Sequence, residues 1–267
     1  MKGTALVLIA LVAGLLAVSG CLSAPGGPAP APAATLPQEA RPHYLVGVDG
    51  DFPPFTAEDR GGNFTGIDTD AARYVAAEEG FGITFVAVPW DTVVPSLESG
   101  KIDIIWSGMT VDAERQARVN FSVPYYAVNL SVAARAGSGL TLQDLFAGRL
   151  RVGAEAGSTE ADWVRSKLIA TGKMPAANLT LYPSITALTE GLGNGTVDAS
   201  VIPLPSQRLS VAGRPLAIIG TLPEQERYAV AVRKGDPALL ARIDDGLLRL
   251  MADSYWQQLK QEYGLGP

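Results

Sequence analysis

An α/β fold in two similar lobes is what this sequence predicts, and three observations carry the prediction. From Tyr44 onward, short β-rich runs alternate with helical patterns. A helix end, a glycine turn and a strand start occur in the same order twice, as Leu97-Glu98-Ser99-Gly100-Lys101-Ile102-Asp103 and as Leu192-Gly193-Asn194-Gly195-Thr196-Val197-Asp198. The strand Val46-Gly47-Val48-Asp49-Gly50 likewise has an echo in Val152-Gly153-Ala154-Glu155-Ala156. Strand–helix–strand alternation with short Gly or Asp connections implies parallel βαβ units. The duplication implies two lobes rather than one long sheet.

Each element follows in order. Residues 44–48 read as a buried strand, and Asp68 or Asp70 can cap a helix running to about Glu79. Residues 83–88 are a strand. Asp91 opens a helix that ends at Gly100, and residues 102–106 are the next strand. The apolar run 127–134 and its later mirror 228–232 read as crossover strands, with the chain leaving lobe 1 near Ala133 and returning near Ala229. Lobe 1 is then residues 43–132 plus 230–267, and lobe 2 is residues 133–229. Leu239, Leu240, Ile243, Leu247, Leu248 and Met251 have the i, i+3, i+4 spacing of an amphipathic helix closing lobe 1. Gly191-Leu192-Gly193-Asn194-Gly195 follows a helix and precedes a strand, the wrong order for a dinucleotide fingerprint.

Composition narrows the function. The chain has 267 residues, 47% hydrophobic and 18% charged, enough for two lobes of about 100–150 residues each. Twenty-one Lys and Arg against 27 Asp and Glu, with no basic cluster, argue against nucleic acid as a partner. The single Cys21 and single His43 exclude an internal disulfide, a Cys/His zinc site and a Cys–His catalytic pair. No metal and no cofactor are expected.

The amino terminus reads as export and tether. Lys2 precedes an apolar run, residues 5–18, of signal-peptide length and short for a membrane span. Val18-Ser19-Gly20-Cys21 resembles a lipobox, which implies removal of residues 1–20 and a lipid on Cys21. Residues 21–42 are Pro- and Ala-rich, without apolar periodicity, and read as a polyproline-biased spacer. All five asparagines, Asn63, Asn120, Asn129, Asn178 and Asn194, are followed two residues later by Ser or Thr with no intervening Pro, the N-glycosylation acceptor pattern. The expected location is the outer face of the cell membrane.

Several segments, in order, are similar to family 3 extracellular solute-binding proteins, the polar-amino-acid receptors of ABC importers. They are Phe52-Pro53-Pro54-Phe55, Gly66-Ile67-Asp68-Thr69-Asp70, Trp90-Asp91-Thr92-Val93-Val94-Pro95-Ser96-Leu97, Gly108-Met109-Thr110-Val111-Asp112-Ala113-Glu114-Arg115, Phe121-Ser122-Val123-Pro124-Tyr125-Tyr126, Leu142-Gln143-Asp144-Leu145, Gly157-Ser158-Thr159 and Tyr255-Trp256. The resemblance spans residues 44–265. It implies a two-lobed periplasmic-binding-protein fold of type II, with two parallel or mixed sheets joined by a two-strand hinge that closes on ligand. It implies a monomeric receptor that takes a small carboxylate-bearing ligand, an amino acid or analogue, and delivers it to an ABC permease without covalent chemistry.

The resemblance also assigns the site. Arg115 would offer a planar fork to the ligand carboxylate. The Thr110 hydroxyl and N–H would hold the same group, and Gly108 would offer a carbonyl where a side chain would block approach. Ser158 and Thr159 would present N–H groups from the other lobe. Phe52 and Trp90 would sandwich the ligand side chain, whereas Trp106 and Trp163 read as core. Asp49, at the end of the first strand, would pair with a polar or cationic group. One departure stands out: Pro203 occupies the strand end where relatives carry the Asp that holds the α-ammonium. Asp49 or Glu155 would then receive that group, or the ligand lacks it. Two alternatives accompany this reading. One is an exported dehydratase-like enzyme using Glu155 or Glu160 as general acid. The other is a ligand sensor for a signalling partner.

Overall fold

The computed structural model of the protein describes residues 41–266, which belong to one compact unit. The signal segment, Cys21 and the tether through Ala40 lie outside the described residues.

Two five-stranded sheets are built to the same plan. In the first, Gly82–Ala87, His43–Val48 and Ile104–Ile105 run parallel, and Ala231–Arg233 and Val119–Phe121 complete the sheet, with Ala231–Arg233 antiparallel to both neighbours. In the second, Leu179–Tyr182, Val152–Glu155 and Ala199–Pro203 run parallel, and Tyr126–Arg135 and Leu216–Tyr228 complete it antiparallel. The duplicated motif occupies equivalent places. The Asp103 N–H donates to the Leu45 carbonyl and the Asp198 N–H to the Arg151 carbonyl, each at 2.8 Å. In return the Asp103 and Asp198 carboxylates accept the Leu45 and Arg151 N–H groups at 2.9 and 3.0 Å. Gly100 and Gly195 make the preceding turns at φ +75° and +82°, a region that costs an L side chain energy. Register then equates Val46 with Val152, so Asp49 and Glu155 occupy the same strand-end place in the two sheets.

The lobes part earlier than the sequence implies. The run read as a crossover near Ala133 is one strand, Tyr126–Arg135, paired in the second sheet from Tyr126 onward. The boundary drawn between residues 132 and 133 thus falls inside that strand. The apolar run lies wholly in the second sheet, and its residue types do not say which sheet it pairs with. Between Leu216–Tyr228 and Ala231–Arg233 the chain passes from the second sheet back to the first. The two passages lie side by side. The Ser122 N–H donates to the Val230 carbonyl (2.8 Å), the Val230 N–H to Ser122 Oγ (2.9 Å), and the Tyr125 N–H to the Tyr228 carbonyl (3.0 Å).

Helices Pro237–Ala252 and Ser254–Glu262 pack on the first lobe, burying Leu239, Ile243, Leu247, Leu250, Trp256 and Leu259 against helix Ile67–Glu78 and the sheet. Leu248 is instead exposed. Trp106 and Trp163 are core residues, at 1% and 8% exposure. Asp68 does not cap its helix. Gly66 precedes the first turn without a side-chain cap. The buried Asp68 carboxylate instead accepts the Gly108 N–H (2.6 Å) and the Tyr125 hydroxyl (2.8 Å). Among the acceptor asparagines, Asn63 and Asn194 are exposed, and Asn120, Asn129 and Asn178 are half-buried.

Candidate functional site

Asp49, Phe52, Trp90, Gly108, Thr110, Arg115, Glu155, Ser158 and Thr159 all line one cavity between the two sheets. Ser107, Glu160, Ile185, Ile202, Pro203 and Tyr228 complete the wall.

Arg115 sits on the short helix Ala113–Arg118, whose start is fixed by Asp112 Oδ1 accepting the Arg115 N–H at 2.8 Å. The guanidinium is held from three sides. Its Nε lies 3.2 Å from Asp112 Oδ2, Nη1 donates to the Thr110 carbonyl (3.1 Å), and Nη2 donates to the Gly157 carbonyl of the other lobe (3.1 Å). It also lies over the Trp90 ring, 5.5 Å from the centroid. A planar fork held this way loses little freedom when it meets a carboxylate.

The lobes touch closely here. Gly157 has φ +78°, and a Cβ on it would stand 2.6 Å from Asp91 Cα. Ser158 caps helix Thr159–Val164 by accepting the Ala161 N–H (3.2 Å), while its hydroxyl donates to the Glu155 carbonyl (2.8 Å). A second interlobe clasp lies beside the cavity. Asp51 accepts the Thr186 N–H (2.7 Å) and the Thr186 hydroxyl (2.8 Å), at the first turn of helix Ile185–Gly193.

The floor is aromatic. Phe52 stacks on Phe55 at 4.9 Å and meets Tyr228 edge-on at 6.3 Å. Gly108, at φ +56°, lies against both rings, and a Cβ there would fall 2.4 Å from Phe52 Cε1. Asp68 anchors Gly108 from behind, so this backbone is fixed where it faces the cavity.

Charge is concentrated on carboxylates. Burial pushes Asp49 up to about 6, even though the Asp51 N–H stabilises its charge. Burial and the facing Asp49 push Glu155 well above the ordinary carboxylate range, and its Oε1 is buried with no hydrogen-bond partner. Burial and the neighbouring Glu226 raise Glu160 to about 8; burial also raises Glu226. With the Arg115 guanidinium the one cation on the cavity wall, these four carboxylates cannot all be charged at once. Among the described residues, no group of His, Cys, Asp and Glu has the arrangement of a metal site.

Glu226 is the functional candidate that sequence reasoning missed. It accepts the Thr110 hydroxyl proton at 2.7 Å, across 116 residues of chain. Nothing around Glu224-Gln225-Glu226-Arg227 marks it in sequence, and only strand pairing brings it to Thr110.

Two α/β lobes, a two-strand hinge and an enclosed polar cavity between them define a ligand-binding receptor of the periplasmic-binding-protein class. The chain belongs to the bacterial extracellular solute-binding proteins, family 3, whose model matches residues 44–266. It is similar to a probable histidine-binding protein of Neisseria gonorrhoeae, 31% identical over 95% of this chain and 93% of that one. The L-cystine-binding protein TcyJ of Escherichia coli is 25% identical, over 82% of this chain and 81% of its own. An ancestral arginine-binding protein bound to arginine superposes with a TM-score of 0.76 and 29% identity, covering 84% of this chain and 98% of that one. These relatives are binding proteins rather than enzymes, and this chain is an extracytoplasmic solute receptor of an ABC importer. Among the described residues, no helix is long and apolar enough to cross a membrane.

Proposed function

We propose that the cavity takes a basic α-amino acid, with its carboxylate on Arg115 and its side-chain cation between Asp49 and Glu155. One observation carries this reading: Glu155 Oε1 is buried, unpartnered and opposite Asp49, on a cavity that also exposes a fixed guanidinium. Burial and Asp49 keep Glu155 protonated in the empty cavity, and a ligand cation between the two would let both carboxylates carry charge. Phe52 and Trp90 would pack along the aliphatic stem. Histidine, cystine and arginine, the ligands that the relatives' names give, share the α-amino acid group and differ in side chain; the Asp49–Glu155 pair favours the cationic ones.

Closure would turn about residues 122–126 and 228–231, bringing residues 126–228 onto the rest. The ligand gains contacts in the closed state that the open state lacks, which is what shifts the population. Melting of the full chain against a panel of amino acids tests the reading. Arginine, lysine, ornithine or histidine at about 100 times its dissociation constant stabilises the fold by roughly 2.7 kcal/mol. A panel in which only neutral or acidic amino acids raise the melting temperature overturns it.

The receptor would act as a monomer tethered by a lipid on Cys21, with sugars on its acceptor asparagines. The lipobox-like Val18-Ser19-Gly20-Cys21, and the fact that none of the five asparagines is buried, support this. The intact mass of the native protein is the check: neither diacylglycerol nor glycan in the spectrum would remove both claims.

A further inference from the structure

We propose that Asn194 is the asparagine that receives a sugar on the folded chain, from a lipid-linked sugar diphosphate outside the cell membrane. This rests on the reading of the protein as an N-glycosylated receptor, and it says which of the five acceptor patterns the fold presents.

In such a pattern the hydroxyl stands two residues after the asparagine. Among the described residues, Asn194 alone has its own hydroxyl against its amide. Asn194 Oδ1 accepts the Thr196 hydroxyl at 2.6 Å and the Thr196 N–H at 3.0 Å. A backbone N–H can only donate, so the amide oxygen is the atom turned inward and Nδ2 the atom turned outward. Both bonds of this side chain enter through oxygen, and Nδ2 has no partner among the described residues. Asn194 and Thr196 are exposed, on the turn between helix Ile185–Gly193 and strand Ala199–Pro203. A groove along that helix, lined by Thr186, Glu190, Gly193, Asn194 and Arg214, leaves room beside the turn for an added group.

The other four asparagines are engaged or held elsewhere. Asn63 Nδ2 donates to both carboxylate oxygens of Asp59, at 3.2 and 3.0 Å. Asn120 and Asn129 lie in sheet strands, with Nδ2 on the Lys234 and Glu224 carbonyls at 3.3 and 3.5 Å. The hydroxyls that follow them are buried: Ser122 donates to the Val123 carbonyl and Ser131 to the Ile202 carbonyl. Asn178 is half-buried and runs directly into strand Leu179–Tyr182, which holds Thr180 in the sheet.

The duplicated turn separates this feature from folding. In lobe 1, Ser99-Gly100-Lys101 stands where lobe 2 has Asn194-Gly195-Thr196. The Gly100 N–H donates to the Leu97 carbonyl (3.1 Å) and the Lys101 N–H to the Ser96 carbonyl (3.0 Å). The Gly195 N–H likewise donates to the Leu192 carbonyl (3.3 Å) and the Thr196 N–H to the Gly191 carbonyl (2.9 Å). Lobe 1 therefore makes the same turn with neither an Asn amide nor a Thr hydroxyl, and the pair in lobe 2 is an addition to a turn that forms without it.

The transfer balances simply. A bond forms from Asn194 Nδ2 to the anomeric carbon, and the bond from that carbon to the diphosphate oxygen breaks. The diphosphate leaves with the electron pair, and Nδ2 gives one of its two protons to the membrane transferase. The chain supplies only the acceptor.

Glycopeptide mass spectrometry of the native protein, isolated from the cells that make it, tests this. Asn194 should carry the sugar in most copies, with Asn120 and Asn129 bare. Thr196→Val removes the hydroxyl at nearly constant volume and should abolish the sugar on Asn194, whereas Thr196→Ser should retain it. A cooperative melt of Thr196→Val shows that the loss is not a loss of fold. Sugar on other asparagines with Asn194 bare, or sugar retained on Asn194 in Thr196→Val, overturns the proposal. Asn120 or Asn129 occupied as fully as Asn194 means that transfer precedes folding, and overturns it as well. No sugar on any of the five removes both the proposal and the glycoprotein reading beneath it.

Discussion

Replacing Arg115 with alanine tests the proposed seat of the ligand carboxylate. Its side chain is 11% exposed, and its two Nη atoms reach the Thr110 and Gly157 carbonyls, one in each lobe. A ligand carboxylate arriving in the cavity would receive one or two charge-assisted hydrogen bonds from this fork. At about 1.5–3 kcal/mol each, two such bonds contribute roughly 3–6 kcal/mol, or about 10²–10⁴ in affinity. The Gly157 contact adds a smaller loss, because it also favours the closed arrangement. Arg115→Lys separates these effects. It keeps the charge but cannot grip a carboxylate with a planar fork, so it should fall between wild type and alanine. Titration calorimetry with the amino acid found in the melting panel measures both variants. The ligand-free melting temperature shows that each is folded, since the helix carrying Arg115 buries none of its residues. An alanine variant that binds within threefold of wild type would refute the placement of the carboxylate, and with it the orientation of the ligand.

Two further perturbations address closure and pH. Asp51→Ala deletes both bonds to Thr186, so ligand should dissociate about 3–30-fold faster with unchanged ranking among amino acids; stopped-flow fluorescence reads this, and a reordered ranking would refute a pure closure role. The Asp68 carboxyl is pushed up to about 7 by burial, so the native state binds its proton more tightly than the unfolded chain does. Its stabilisation is therefore complete below the ordinary value of 3.8 and lost as pH rises through about 7. Asp49, raised to about 6, and Glu160, raised to about 8, slope the same way. Ligand-free wild type should thus melt progressively lower from pH 4 to pH 8, and Asp68→Asn should flatten the curve between pH 4 and 7. An unchanged slope in the variant would mean that Asp68 is charged in the native state.

The parts of the site that were legible in sequence lie on short contiguous pieces of chain. The strand end before Asp49, the capped turn before Arg115 and the Gly157-Ser158-Thr159 turn each owe their shape to neighbours a few residues away. Their residue types carry that shape, and all nine residues expected at the site do line the cavity. The repeated Gly-turn-Asp motif also revealed the duplicated lobes, because the Asp closes a bond to the adjacent strand in both.

What chain order could not encode was pairing at a distance. The sheet change falls in residues 122–125, before the apolar run 127–134 begins, and nothing within that run says which sheet it pairs with, because burial demands the same residue types in either. Asp68 looked like a helix cap because a carboxylate near a helix start usually is one. Its true partners, Gly108 and Tyr125, lie 40 and 57 residues away. The proton on Thr110 is the sharpest case. Sequence determined that a hydroxyl would stand beside Arg115. Only the fold, by laying Leu216–Tyr228 alongside it, brought Glu226 within hydrogen-bond reach of that hydroxyl.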